Sequence, residues 1–330
     1  MIKILIVDDS AVIRAFLKKI INLDERFTLV GEVADGQKAI EACSSLKPDL
    51  VIMDINMPIM DGITATKRIK LLAEPPIIVV FSTEDSSSAG YKAIGAGAIE
   101  VIKKPELHDM DSNFFKRFCD KLAALGQKKK KPVDMNAISV QPKSKSYKLL
   151  LIGASTGGPL AVQRVLKDIG TPFPLPILIT QHIDKTFDKN FARWLSDTTG
   201  QNVVIPEENA KLENGVAYLA PAGKHMVLNA SGSIHLSDTE RVHFLKPAVD
   251  PMFMSAAKVF GEKCMAVLLT GMGSDGAEGC VEIKNAGGYT VAEAASSCVV
   301  FGMPKAAIMA GGATAVLPLD KIGEFVKSNC

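Results

Sequence analysis

Two groups of reactive side chains punctuate this 330-residue sequence, and each member stands where an apolar run stops. In the first group, Asp8 and Asp9 follow Lys3–Val7, and Asp54 closes Leu50–Met53. Ser82 and Thr83 follow Ile77–Phe81, and Lys103, Lys104 and Pro105 follow Ile99–Ile102. Three carboxylates gathered at one edge repel unless a cation joins them, and hard oxygen ligands with room for water suit Mg²⁺. A metal-bound carboxylate beside an ammonium and a hydroxyl suits phosphoryl transfer. The cations neutralise phosphoryl oxygens, the hydroxyl donates a hydrogen bond, and an aspartate is the nucleophile. Taken singly, an Asp pair after a strand is an N-cap or a solvated turn, and a Lys-Pro is a turn. The ordered set is what carries specificity.

The second group begins where Lys148–Ile152 runs into Gly153-Ala154-Ser155-Thr156-Gly157-Gly158-Pro159. Proline favours the first helical positions, so a helix starts here, and its N–H groups face whatever anion forms at the turn. Three readings fit the string alone: a plain Gly-rich turn, a phosphate cradle, or a nucleophilic Ser155 beside an oxyanion hole. Gly-x-Ser-x-Gly also matches the α/β-hydrolase elbow. Farther on, Pro176–Thr180 ends in Gln181-His182, and Met265–Thr270 ends in Gly271-Met272-Gly273-Ser274-Asp275-Gly276. Ser155, His182 and Asp275 thus each lie just past the carboxyl end of an expected strand, where side chains from different strands converge. A serine needs a base to lose its proton, histidine titrates in the useful range, and a carboxylate holds the histidine's tautomer. The α/β-hydrolase order of Ser, acid, His is not available with Asp275, because no histidine comes after it. That order would require another acid between Ser155 and a later histidine, His225, His235 or His243, and for all three a structural role ranks above catalysis.

Between the members of the first group, amphipathic stretches near 11–22, 36–46, 61–72, 87–96 and 112–125 alternate with the strands, Thr28–Val33 completing the set. Five βα units with near-continuous apolar strands predict a parallel sheet covered on both faces. The length predicts two domains at roughly 100–200 residues each. The expected division is a first domain over 1–125, a linker over 126–147 and a second domain over 148–330.

Charge places the linker. The net charge of +2 resolves into −2 for residues 1–125, +6 for 126–148 and −2 for 149–330. The run Lys128-Lys129-Lys130-Lys131-Pro132 repels itself and reads as a solvated connection. Neither large segment has the basic face of a nucleic-acid binder, and no basic recognition helix follows the first domain. Gly153–Gly158 fits neither the dinucleotide Gly-x-Gly-x-x-Gly nor the P-loop, which argues against a nucleotide enzyme. No run of about 18 apolar residues is present, so membrane insertion is not expected. Six cysteines scattered without a Cys-x-x-Cys pair point to a reducing cytoplasm.

The first segment resembles the receiver domain of two-component response regulators. The matching residues are Val7-Asp8-Asp9-Ser10, Met53-Asp54, Met57-Pro58, Met60-Asp61-Gly62, Ser82 and Lys104-Pro105. The resemblance implies a flavodoxin-like, doubly wound fold with phosphorylation of Asp54 by a histidine kinase. It also implies Mg²⁺ held by Asp8, Asp9 and Asp54, a switch hydroxyl at Ser82 and a phosphate-contacting Lys104. Val101 stands where many receivers carry an aromatic on the last strand, so an aromatic-rotamer switch is not expected.

The second segment resembles the catalytic domain of the chemotaxis protein-glutamate methylesterases, the CheB family. Matching residues include Gly153–Gly158, Thr180-Gln181-His182, Tyr218-Leu219-Ala220-Pro221, Pro247-Ala248-Val249-Asp250, Leu269–Gly276 and Val300-Phe301-Gly302-Met303-Pro304. This implies a second doubly wound, mostly parallel α/β domain. Its triad would be Ser155, His182 and Asp275, with Thr156 and Met272 lining the site, and the esterase reaction would need no cofactor. The implied reaction demethylates glutamate methyl esters, and deamidates glutamines, on chemoreceptors. The implied partners are those receptors and a chemotaxis histidine kinase. Two departures stand out: Ile183 replaces a methionine, and Glu293-Ala294-Ala295 replaces a Gln-Asp-Glu-like run, which bears on substrate fit.

Overall fold

The computed structural model describes residues 1–83, 87–105, 112–126, 147–183 and 187–330. It comprises two compact units, Met1–Lys130 and Lys131–Cys330. The expected linker lies outside the described residues apart from its ends, where Gly126 closes a helix and Tyr147 is buried. No helix among the described residues is long and apolar enough to cross a membrane.

The first unit runs β1 (Ile2–Val7), α1 (Ala11–Asn22), β2 (Phe27–Val33), α2 (Gly36–Leu46), β3 (Leu50–Met53), α3 (Gly62–Ile69), β4 (Ile77–Ser82), α4 (Ser87–Gly95), β5 (Glu100–Lys103) and α5 (Ser112–Gly126). The strands form one sheet in the order β2-β1-β3-β4-β5, with every pair parallel. Strand β3 is wholly buried, as a sheet covered on both faces requires. Ser10, Asp35 and Asp61 cap α1, α2 and α3 by accepting from Ile13, Lys38 and Thr64 amides. The helix expected over 61–72 stops at Ile69, where the chain tightens into three-residue turns: the Leu71 amide donates to the Arg68 carbonyl and the Leu72 amide to the Ile69 carbonyl, each at 3.1 Å. Connections from β1 and β3 leave in opposite directions, so a crevice opens at their carboxyl ends.

The second unit runs β6 (Leu149–Ala154), α6 (Gly158–Ile169), β7 (Ile177–Gln181), α7 (Asp188–Thr199), β8 (Asn202–Val204), β9 (Val216–Leu219), β10 (His225–Leu228), β11 (Ile234–Ser237), α8 (Val249–Phe260), β12 (Cys264–Leu268), α9 (Ala277–Asn285), β13 (Tyr289–Glu293), α10 (Met303–Met309), β14 (Ala315–Leu317) and α11 (Leu319–Asn329). Seven strands pair in parallel in the order β14-β13-β12-β6-β7-β9-β8, and β10 and β11 form a separate antiparallel hairpin. The hairpin contributes Met226, Leu228 and Ile234 to a core shared with Met252, Phe253 and Ala256 of α8. The chain leaves β6 toward β7 on one side and leaves β12 toward β13 on the other. The switch point therefore falls between β6 and β12. The strand expected over Met265–Thr270 leaves the ladder at Leu268, since Thr270 turns its amide and hydroxyl to side-chain and loop partners.

Candidate phosphoacceptor site and candidate active site

At the β1/β3 crevice, Asp8 and Asp54 are buried and Asp9 is exposed, and one oxygen from each lies within 4.8 Å of the others. Lys104 Nζ stands 2.8 Å from Asp8 Oδ2 and 2.8 Å from Asp54 Oδ1. Strand register delivers this lysine: β5 pairs with β4, and the Lys104 amide donates to the Ser82 carbonyl at 2.7 Å. The Ser82 hydroxyl is buried and donates to the Thr83 carbonyl at 3.3 Å. Burial pushes the Asp54 carboxyl above the ordinary carboxylate range, against the pull of the Lys104 ammonium. Burial also works against the charged form of Lys104, but its hydrogen bonds to Asp54 and Asp8 outweigh this and hold the ammonium above its ordinary pKa. Asp8 Oδ2 has no hydrogen-bond partner beyond that ion pair. Three carboxylates against one ammonium leave an all-oxygen donor set with negative charge in excess, which fits Mg²⁺.

Gly62 fixes how closely α3 approaches this site. A Cβ there would fall 1.9 Å from the Asp54 carbonyl oxygen. Gly62→Ala should therefore lower the unfolding midpoint of the chain and displace the backbone that carries Asp54. An unchanged midpoint in thermal unfolding would contradict that close approach.

At the β6/β12 switch point, Ser155 follows β6, His182 follows β7 and Asp275 lies in the loop after β12. The serine turn is tied down through backbone. The Ser155 amide donates to the Thr270 carbonyl at 3.0 Å, and the Gly158 amide donates to the Ser155 carbonyl at 2.7 Å. Gly157 supplies the left-handed step before α6 at φ 76°, where a Cβ would also meet Val299. His182 Nε2 lies 2.6 Å from Asp275 Oδ2, with the imidazole and carboxylate both nearly excluded from solvent. With Nε2 committed to Asp275, Nδ1 is the ring nitrogen left for a proton acceptor.

Asp275 is held by more than the histidine. The amides of Val249 and Asp250, at the N-terminus of α8, donate to Oδ2 at 2.6 Å and Oδ1 at 3.0 Å. Burial alone would raise this carboxyl's pKa. The hydrogen bond and charge of His182, with the two helix amides, hold it below the ordinary range. Behind it, buried Asp250 accepts from the Gly279 amide at 2.7 Å and lies 3.1 Å from His243 Nε2. Burial, with the Asp275 charge adding to it, drives the Asp250 carboxyl well above its ordinary pKa despite the Gly279 amide.

Thr156 is buried and Met272 is 37% exposed. The Thr156 carbonyl accepts from Thr270 Oγ1 at 2.9 Å, and the Thr270 amide donates to Glu293 Oε2 at 2.8 Å. Glu293, at the departure from the family run, is fully buried and also accepts from Ser297 Oγ at 2.9 Å, so its carboxylate serves the loop that seats Ser155. The other histidines that the sequence offered as alternatives have structural partners. His225 is buried, accepts from the Ala248 amide at 3.1 Å and meets the Glu240 carbonyl at 3.0 Å. His235 pairs with Glu208 at 2.8 Å on the surface.

Fold and site together define a class: a response-regulator receiver joined in one chain to a doubly wound hydrolase. Residues 4–111 match the response regulator receiver domain, and residues 150–326 match the CheB methylesterase family. The chain is 34% identical over 367 aligned positions to protein-glutamate methylesterase/protein-glutamine glutaminase 1 of Pseudomonas aeruginosa, covering 100% of this chain and 99% of that one. It is 37% identical over 336 positions to protein-glutamate methylesterase/protein-glutamine glutaminase 4 of Geobacter metallireducens, covering 98% and 97%. The crystal structure of the Thermotoga maritima CheB methylesterase catalytic domain matches at 37% identity and a TM-score of 0.53, over 56% of this chain and 99% of that domain. The chain belongs to the CheB methylesterase family.

Proposed function

We propose that this chain hydrolyses glutamate methyl esters on chemoreceptors, releasing methanol, and deamidates receptor glutamines, releasing ammonia. Sensory adaptation in chemotaxis results from that removal, and phosphorylation of Asp54 by a chemotaxis histidine kinase controls it. The observation that carries the chemistry is the 2.6 Å contact between His182 Nε2 and Asp275 Oδ2 at the edge where Ser155 also stands. Ser155 Oγ attacks the ester carbonyl while His182 Nδ1 takes its proton, and Asp275 stabilises the imidazolium. Collapse of the tetrahedral species breaks the carbonyl–methoxy bond, and His182 returns the proton so that methanol leaves. A water, deprotonated by the same nitrogen, then cleaves the glutamyl-serine ester and restores Ser155.

The amides of Ser155 and Gly158 are committed to the Thr270 and Ser155 carbonyls, so we assign the oxyanion's surroundings to Thr156 and Met272. No cofactor enters this reaction. In the receiver, Asp8, Asp9 and Asp54 would hold Mg²⁺, which supplies positive charge against phosphoryl oxygens when bound. Lys104, already seated on Asp54, orients the incoming group, and Ser82 is the hydroxyl that answers to it. A cytoplasmic setting fits the six free thiols.

A coupling of about 1–3 kcal/mol between phosphorylation and catalysis corresponds to roughly 5- to 150-fold activation. Turnover of the full chain should rise within that range on treatment with a small phosphodonor, and Asp54→Asn should abolish the rise. A response of equal size in Asp54→Asn would remove Asp54 from the phosphoacceptor role.

A further inference from the structure

Between β11 and α8 the chain makes a two-residue turn at His243 and Phe244, closed by Val242 and Leu245. The Leu245 amide donates to the Val242 carbonyl at 2.8 Å, and the reverse bond is 3.1 Å. Both central residues have left-handed backbone, φ 51° at His243 and φ 64° at Phe244. Asn-Gly is the pair that suits such a turn, and a bulky residue at positive φ is an outlier. An exposed phenylalanine alone needs no explanation. One that is 87% exposed and also held in a disfavoured conformation does.

The strain persists because the turn is braced on all sides. His243 Nε2 lies 3.1 Å from Asp250 Oδ2, and Arg241 Nη1 donates to the Phe244 carbonyl at 3.3 Å. Lys246 Nζ pairs with Asp238, and the Lys246 carbonyl accepts from the Gly223 amide in the loop after β9. The segment thus stretches from the β9 loop to the carboxylates beside β12. Polar atoms of His243, Asp250 and Asp275 lie within 4.8 Å of one another. It lies on the same carboxyl edge as His182 and Asp275, where Met272 is also exposed, at 37%. Strain maintained in this way at the rim of a site is a marker of function.

We propose that this turn is a substrate-contacting rim of the active site, with Phe244 docking against an apolar side chain of the receptor segment beside the scissile glutamate. The proposal rests on the methylesterase function above, and assigns to Phe244 discrimination between a protein ester and a small one.

The test uses full-length enzyme treated with a small phosphodonor, with methylated receptor membranes and free glutamate γ-methyl ester as substrates. Phe244→Ala should lower the ratio of kcat/KM for receptor over small ester by about tenfold, through KM for the receptor. Phe244→Trp should restore most of it. Phe244→Gly should show the same loss with an unfolding midpoint at or above wild type, because glycine adopts this φ freely. A ratio in Phe244→Ala within about twofold of wild type overturns the role of the turn. So does a gain in turnover of the untreated enzyme with receptor KM unchanged, which would make Phe244 part of the enzyme's own regulation. Wild-type enzyme inert toward both esters would overturn the methylesterase function itself, and the turn's role with it.

Discussion

Replacing Ser155 with alanine is expected to leave a folded chain whose methanol release falls by about 10³-fold or more. The expectation of an intact fold comes from what residue 155 does structurally. Its amide binds the Thr270 carbonyl, and its own carbonyl accepts from the Gly158 amide and from Gln181 Nε2 at 2.9 Å. All of these are backbone groups that alanine keeps. What alanine lacks is the oxygen that, in the proposed mechanism, attacks the ester carbonyl. His182, Asp275 and any oxyanion donors would then act on an attacking water alone, which retains only a residue of the rate. Methanol release near the wild-type rate, with the unfolding midpoint unchanged, would exclude Ser155 as nucleophile.

Asp275→Asn is expected to be as damaging to turnover, by about 10³- to 10⁴-fold, and to lower stability too. Both carboxylate oxygens accept hydrogen bonds from backbone amides, Oδ2 from Val249 and Oδ1 from Asp250. An asparagine has one carbonyl oxygen, so its NH₂ must face one of these amides, donor against donor. Leaving a buried donor without an acceptor costs about 1–3 kcal/mol. If the NH₂ takes the Oδ2 position, His182 Nε2 must accept rather than donate. The proton then sits on Nδ1, and the ring has no lone pair to offer the serine. Chemical denaturation and methanol release measured on the same preparation should both fall. Turnover within about tenfold of wild type would mean that Asp275 does not orient the base.

Much of this site was legible in the sequence because parallel sheets place chemistry at strand ends. Ser155, His182, Asp8, Asp9 and Asp54 each stand at or just past the end of an apolar run, and that edge is where the chain places them. The remainder is carried by backbone and leaves no mark in the residue types. The amides of Val249 and Asp250 that seat Asp275 belong to a helix whose N-terminus has no side-chain cap to announce it. The choice of Nε2 as the nitrogen facing Asp275 depends on the direction from which β7 delivers the ring. Residues 269 and 270 look like strand because they are apolar or β-branched, yet the Thr270 amide goes to Glu293. The short strands β8 and β9 leave no periodicity long enough to single them out. The turn at His243 and Phe244 was invisible for a different reason: its residues contradict the usual turn chemistry, as strained functional positions do.

The central claim is that this chain is a methylesterase acting on receptor glutamate esters under phosphorylation control. Its most direct test is methanol release from methylated chemoreceptor membranes, monitored over time with and without a small phosphodonor. The expected result is steady release that the phosphodonor accelerates and that Ser155→Ala abolishes in both conditions. Receptor methyl groups that persist unchanged beside folded, phosphorylated wild-type enzyme would contradict it.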